Sequence, residues 1–440
     1  MTLKPVRVGI CGLGTVGGGT FNVLMRNADD IARRAGRPIA IEQVAYRSLN
    51  PECDITGINT THDVFEVATN PNVDVVVELI GGYDVARDLV LTAIDHGKHV
   101  VTANKALIAV HGNEIFQAAH KKGVIVAFEA AVAGGIPVIK SLREGLGANR
   151  ISWVAGIING TGNYILTHMR DEGRAFEDVL AEAQALGYAE SDPTFDVEGI
   201  DAAHKLTILA SIAYGVPLQF EKAFTEGISR VTAEDVEQAD NLGYIIKHLG
   251  ISKRTDAGLE LRVHPTLIPK ERLLASVHGV KNAIAVMGDA VGPTLYYGAG
   301  AGAEPTASAV VADLLDVARD ISTEHRYRTP YLAFCGVDED CETLPIMPME
   351  DITTAYYLRL LAVDRPGVLA RVATILSEES ISIEALIQKE ATEGELVPII
   401  ILTHRTLEKN MNEAIRRIES LADIAGSVTR IRVEALDEQD

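Results

Sequence analysis

The chain has 440 residues, of which 47% are hydrophobic, and a formal net charge of -21. That length exceeds one ordinary core and predicts about two to four domains, while the acidic balance excludes nucleic acid and anionic membranes as partners. Four cysteines without Cys-x-x-Cys spacing exclude a disulfide framework and a zinc site, and the twelve histidines, scattered like His62, His96, His99 and His111, show no ligand spacing.

In chain order, Val6 to Cys11 reads as a short apolar strand, too short for a signal peptide. No apolar run reaches membrane-spanning length, so a soluble cytoplasmic protein is expected. Gly12-Leu13-Gly14-Thr15-Val16-Gly17 follows, then a helix to about Ala35. Strand, Gly-x-Gly-x-x-Gly, helix is the dinucleotide fingerprint. Gly12 permits the turn, Gly14 lets a pyrophosphate approach, Gly17 permits close helix packing, and the helix N-terminus attracts phosphate.

The second strand, Ile39 to about Tyr46, ends Tyr46-Arg47-Ser48. An NAD site usually ends this strand with an acid. Glu42 is mid-strand, and Arg47 suits a 2′-phosphate, which favours NADP(H). The alternative, with Arg47 stacked on adenine and NAD(H) also accepted, stays open.

Val73 to Leu79 is a buried strand closed by Gly81-Gly82, and Asp84 is expected to cap the helix to His96. The strand His99 to Val101 leads into Thr102-Ala-Asn-Lys105. A polar quartet at the carboxyl end of a parallel strand sits where open α/β sheets bind ligands. Lys105 is either a ligand-facing residue or a helix-flanking surface lysine.

Val124 to Phe128 is a strand, followed by Glu129-Ala-Ala-Val132-Ala-Gly134-Gly-Ile136-Pro137, with Pro137 at the first turn of a helix. One carboxylate plus several carbonyls makes a hard-oxygen site; from the residues alone, a plain hinge is the safer reading. Ser152 to Ile158 is a strand, and Asn159-Gly-Thr161-Gly-Asn163 opens a helix that Asn159 or Thr161 can cap.

Phe176 to Leu186 reads as an amphipathic helix stopped by Gly187. The next stretch carries Glu190, Asp192, Asp196, Glu198 and Asp201, then Lys205, with Pro193 delaying the next helix. From Gly199 the spacing is helical, so Asp201 and Lys205 stand one turn apart. A surface pair of this kind contributes only about 0.3–0.5 kcal/mol. A lysine at the mouth of the apolar run Leu-Thr-Ile-Leu-Ala-Ser-Ile-Ala is better placed facing a pocket, where Asp201 keeps it charged.

Further on, Arg262–Ile268, Ser276–His278, Ala283–Met287 and Thr294–Tyr297 read as strands. The glycine-rich 298–306 precedes a helix from Ala307 to about Asp320, read as a return crossing to the first domain. Residues 321–355 read as a linker with an edge strand. Tyr356–Val363, Gly367–Ser380, Ile381–Lys389, Val397–Thr403, Thr406–Ser420 and Val428–Val433 then give a βαββαβ order, a ferredoxin-like unit. The acidic tail, Glu434 to Asp440, is expected to fray.

The Gly187–Lys205 stretch, taken with the fingerprint, resembles homoserine dehydrogenase, and Asp364-Arg-Pro-Gly-Val-Leu369 with Ile381-Ser-Ile383 resembles an ACT domain. The resemblance covers nearly the whole chain. It implies an α/β protein with a Rossmann dinucleotide-binding domain (1–135), an α+β substrate and dimerisation domain (136–320), a linker (321–355) and an ACT domain (356–433). It implies reversible NADPH-dependent reduction of L-aspartate 4-semialdehyde to L-homoserine, in threonine, methionine and isoleucine biosynthesis. Lys205 would donate the proton, with Lys105 beside it between nicotinamide and substrate. Glu190 and Asp201 would hold the amino acid, with Asp196 in support. Gly12, Leu13, Gly14, Thr15, Val16, Gly17, Arg47, Lys105, Gly187 and Gly302 would contact cofactor. Glu129, Val132, Gly134 and Ile136 would hold a monovalent cation, usually sodium. The ACT domain would take threonine as inhibitor, or only dimerise, and a homodimer or homotetramer is expected. Two rivals remain: another NAD(P)-linked amino-acid oxidoreductase, and a non-catalytic amino-acid sensor on a dehydrogenase scaffold. Aspartate-semialdehyde dehydrogenase needs a nucleophilic cysteine; Cys11 is read as lying in the phosphate loop, and Cys53, Cys335 and Cys341 have no assigned site.

Overall fold

The computed structural model describes residues 4–323, 328–334, 344–388 and 395–437. Cys335, Cys341, the Lys389 end of one expected strand and the last three residues of the tail lie outside them.

The first third runs β1 (Val6–Cys11), α1 (Thr15–Arg26), α2 (Ala28–Ala35), β2 (Ile39–Ala45), β3 (Asn59–Thr61), α3 (Val64–Thr69), β4 (Val75–Glu78), α4 (Asp84–Asp95), β5 (His99–Thr102), α5 (Lys105–Lys122) and β6 (Val126–Ala127). The middle runs α6 (Val138–Lys140), β7 (Ile151–Ile157), α7 (Gly160–Glu172), α8 (Phe176–Ala185), α9 (Thr194–Val197), α10 (Ile200–Tyr214), β8 (Phe224–Thr225), α11 (Ala233–Asn241), β9 (Tyr244–Arg254) and β10 (Leu259–Pro269). The last part runs β11 (Lys281–Gly288), β12 (Gly292–Ala299), α12 (Ala303–Asp320), β13 (Thr353–Val363), α13 (Val368–Glu378), β14 (Ile383–Gln388), β15 (Leu396–Thr403), β16 (Thr406–Leu407), α14 (Glu408–Glu419) and β17 (Ile424–Val433).

The described chain divides into two compact units, one of Met1–Gly160, Asp201–Ala223 and Val280–Leu344, the other of Thr161–Ile200, Phe224–Gly279 and Pro345–Asp440. In the first, a six-stranded sheet has the order β3-β2-β1-β4-β5-β6, every pair parallel. The order reverses between β1 and β4, the switch point at whose carboxyl edge open sheets bind ligands. Buried on both faces, Val75, Val76 and Val77 need no polar alternation. α12 contributes Ala307, Val310, Leu314 and Val317 to the same core as Val8, Ile10 and Phe21. A separate antiparallel ladder joins β7, β11 and β12.

In the second unit β9 and β10 form a long antiparallel pair, and β10 runs parallel to β17, with Thr266 opposite Arg432. β17-β13-β15-β14 continues the sheet, with α13 and α14 supplying Val372, Leu376, Met411 and Ile418 to the core beneath β13 and β15. This is the expected βαββαβ module. Arg432 and Arg262 are buried in that sheet; Arg432 donates to Glu408 and Glu226, and Arg262 to Glu260.

Several local expectations are corrected. The first helix breaks at Asn27 into α1 and α2. Asp84 is the first residue of α4, and Tyr83 occupies the cap without a side-chain bond. Residues 276–278 form no strand; a 3-10 turn, Leu273–Ser276, ends there. Pro193 caps a one-turn helix instead of delaying one. β9, whose apolar residues do not alternate cleanly, has no counterpart among the expected strands.

Candidate active site

The fingerprint loop has the conformation its glycines are needed for. Gly12 lies at φ 102°, and a Cβ there would meet Leu79 O at 2.6 Å. A Cβ at Gly17 would meet Gly12 O at 1.9 Å, so only glycine lets α1 approach β1. At Gly14 a Cβ would meet nothing within 4 Å, and Gly14 caps α1 without any side-chain acceptor. The N-terminus of α1 thus has open space beside Gly14 and no acid in the first turn to oppose an anion. Beside them is a cavity of about 430 Å³, whose wall includes Leu13, Gly14, Thr15, Ser48, Asn50 and Glu52. These residues fit a dinucleotide.

Arg47 is exposed and immediately precedes the wall residue Ser48. Glu52 supplies a carboxylate that the second strand's end lacks. Gly302 caps α12 at φ 122°, and the following Ala303 and Glu304 also line the cavity. Cys11 ends β1 and is not in the loop; it is fully buried, and burial pushes its thiol pKa up, which leaves it unfit as a nucleophile.

Two strands along the same carboxyl edge, about 10 Å by strand spacing, Asn104 caps α5 by accepting from Leu107 N at 3.0 Å. Lys105 is the first residue of that helix. Its ammonium lies 2.8 Å from Asp201 Oδ1. Asp201 Oδ2 takes the Lys205 ammonium at 2.7 Å and the Asn159 amide at 2.9 Å. Lys205 Nζ also donates to Ile158 O at 2.7 Å. One buried carboxylate thus gathers both lysines singled out from the sequence. Burial works to raise the Asp201 pKa; the Lys205 and Lys105 charges outweigh it and hold the carboxyl far below its ordinary range.

Asp201 is 3% exposed and has three donors on its two oxygens. It fixes two ammoniums. The neighbouring His204 stacks on Phe220 with centroids 4.1 Å apart, and Tyr83 Oη lies 3.5 Å from His204 Nε2. Burial moves the His204 pKa down to about 4, so the ring is neutral beside the lysines. His204 and Tyr83 gave no sequence signal.

Asn159 immediately precedes α7, and its side chain and that of Thr161 reach beyond that helix. The Asn159 amide goes to Asp201, and Thr161 Oγ1 donates to Tyr188 O at 2.7 Å. In the second unit, Gly187 lies at φ 75°, and Tyr188 N donates to Ala183 O at 2.8 Å, a Schellman stop for α8. Glu190 beyond it is exposed and Asp196, on α9, half-buried. The structure brings Lys105, Asp201 and Lys205 together within the first unit; Glu190, Asp196 and Gly187 belong to the second.

The Glu129 carboxylate accepts from Ile139 N and Lys140 N at 2.9 Å each, so it caps α6. Burial and then Asp313 push its pKa up to about 7. Ala133 and Gly134, at φ 54° and 46°, turn the buried chain there, and Ile136 O accepts from Val138 N at 2.8 Å. Among the described residues no group of three or more His, Cys, Asp or Glu side chains could hold a metal. Among them, too, no helix is long and apolar enough to cross a membrane.

Residues 12–129 match the family model "Homoserine dehydrogenase, NAD binding domain", 137–315 "Homoserine dehydrogenase", and 356–423 "ACT domain". Homoserine dehydrogenase of Pseudomonas aeruginosa is 67% identical over 436 residues, covering 99% of this chain and 100% of its own. The chain belongs to the homoserine dehydrogenase family. It is thus an oxidoreductase with a nicotinamide dinucleotide domain and an ACT domain. The crystal structure of the Thiobacillus denitrificans family member superposes with a TM-score of 0.94 at 62% identity, covering 99% of this chain and 100% of that one. A hyperthermophilic archaeal member, solved in complex with NADPH, gives a TM-score of 0.61 at 26% identity over 71% of this chain and 97% of that one.

Proposed function

We propose that the enzyme reduces L-aspartate 4-semialdehyde to L-homoserine reversibly with NADPH, and that Lys205 moves the proton. The observation that carries this reading is the pair of ammoniums held by Asp201 on the carboxyl edge that also bears the fingerprint. When bound, the dihydronicotinamide supplies a hydride. Lys205 stabilises the negative charge that develops on the aldehyde oxygen and gives that oxygen a proton. Ile158 O and Asp201 orient the Lys205 ammonium, and Asp201 holds Lys105 beside it. In the reverse direction Lys205 is neutral and accepts the homoserine hydroxyl proton. Glu190 and Asp201, with Asp196 in support, take the substrate amino group.

NADP(H) is the favoured cofactor. Arg47 is exposed next to the cavity wall, and the archaeal relative was solved with NADPH. Glu52 on the same wall is the feature through which NAD(H) would be accepted. Gly12, Leu13, Gly14, Thr15, Val16 and Gly17 hold the pyrophosphate, with Lys105, Gly187 and Gly302 as further contacts. Sodium, if taken up, rests on the carbonyls of Glu129, Val132, Gly134 and Ile136. Threonine is the effector at the ACT module, where Gly367 caps α13 at φ 91°. The enzyme acts in the cytoplasm as a homodimer or homotetramer, on the route to threonine, methionine and isoleucine.

Steady-state absorbance at the NADPH band, with homoserine and each cofactor, with and without threonine, tests the reading. Turnover with a lower KM for NADP than for NAD supports it. No turnover with either cofactor would leave the amino-acid sensor as the better account.

A further inference from the structure

Glu78 ends β4 after three buried valines, where the sheet interior calls for another apolar side chain. It is fully buried, and a buried carboxylate is costly unless its oxygens are satisfied. They are. Oε1 accepts from Ile80 N and Gly81 N at 3.0 Å each, and Oε2 accepts from the Thr102 hydroxyl at 2.6 Å. Burial pushes the carboxyl pKa up, and the Thr102 and backbone donors pull against it. The bonds continue. Thr102 Oγ1 accepts from Asn104 N at 3.0 Å, Asn104 Nδ2 donates to Gly82 O at 2.7 Å, and Asn104 Oδ1 caps α5. Gly81 and Gly82, at φ 71° and 77°, let the loop fold back over the carboxylate. Lys105 follows Asn104 directly.

We propose that Glu78 is a positioning residue for Lys105. It ties the loop after β4 to the loop after β5, and so fixes where α5 begins and where the Lys105 ammonium meets Asp201. Gly82 is followed directly by Tyr83, whose hydroxyl lies 3.5 Å from Nε2 of His204, the residue before Lys205. This inference rests on the catalytic reading of Lys105 given above.

The test compares Glu78→Ala, Glu78→Gln and Thr102→Val in the full chain, each alone and combined with Lys105→Ala. Homoserine oxidation is followed, with NADP+ binding read from quenching of protein fluorescence. Glu78→Ala and Thr102→Val are expected to lower kcat about ten- to hundredfold, as a displacement near 1 Å does, with NADP+ affinity retained. Glu78→Gln should fall less, because its amide oxygen keeps both backbone donors. In the Lys105→Ala background Glu78→Ala should cost almost nothing further, since both act through one group. Equal losses in both backgrounds, or full kcat in Glu78→Ala, would overturn the proposal. If Glu78→Ala does not fold, Thr102→Val carries the same comparison. A Lys105→Ala variant with undiminished kcat would instead remove Lys105 itself from the reaction, a failure of the earlier reading that is visible without any change at Glu78.

Discussion

Asp201 and Lys205 meet at 2.7 Å on one face of α10, and both side chains are buried. The same carboxylate reaches the half-buried Lys105 on the other side, so two positive charges share one acid. Such an arrangement is worth little as a structural ion pair; its value lies in where it holds the ammoniums.

Asp201→Asn keeps the shape and removes the charge. The lysines then lose the group that favours their charged forms. The rising limb of homoserine oxidation should therefore move to lower pH. Asp201 itself is held ionised well below the working range, and His204 stays neutral above about 4, so neither group contributes a competing limb. The pH profile of kcat for wild type and variant checks this, and an unmoved profile removes Asp201 from control of the lysines.

Arg47→Ala should weaken NADP+ selectively. Losing a charge-assisted bond to a 2′-phosphate costs about 1.5–3 kcal/mol, roughly ten- to hundredfold. KM for NADP+ should rise by that factor while KM for NAD+ stays put. Equal effects on the two cofactors would assign Arg47 to the adenine instead.

How much of this was legible in the sequence depends on the range of each interaction. The fingerprint was readable because each glycine answers a local need that only glycine meets. Asp201 and Lys205 were readable because a helix places residues four apart side by side. Lys105 meeting Asp201 was not, since no local spacing joins residues on α5 and α10. Glu78 and Glu129 failed differently. Each is a lone acid in an apolar stretch, and its partners are backbone N–H groups, which have no sequence letter, joined at Glu78 by the distant Thr102 hydroxyl. Glu129 caps α6 in this way.

Lys247, on β9, is buried and donates to Val277 O and to Asn163 Oδ1 at 3.1 Å. Burial, then the Arg170 charge, depresses its pKa to about 7, with Asp171 opposing. A depressed folded pKa means that the unfolded chain binds the extra proton, so stability rises with pH between about 7 and the ordinary lysine value near 10.5. Lys247→Met should lose that dependence. Thermal denaturation from pH 7 to 10 checks it: wild type should gain on the variant as pH rises, and a constant gap would contradict the assignment.

Arg432, fully buried on β17, donates to Glu408 and Glu226. Arg432→Met leaves both acids short of a partner in the sheet, and breaking a buried pair in this way costs about 3–5 kcal/mol. Denaturant unfolding of the second unit should shift accordingly. A shift under about 1 kcal/mol would match a surface pair instead.

The most direct test of the central claim is kcat for homoserine oxidation by Lys205→Ala, measured on protein shown to bind NADP+. The account predicts a loss of about a hundred- to ten-thousandfold, the range of a general acid–base group, with dinucleotide affinity intact. An unaltered kcat would contradict it.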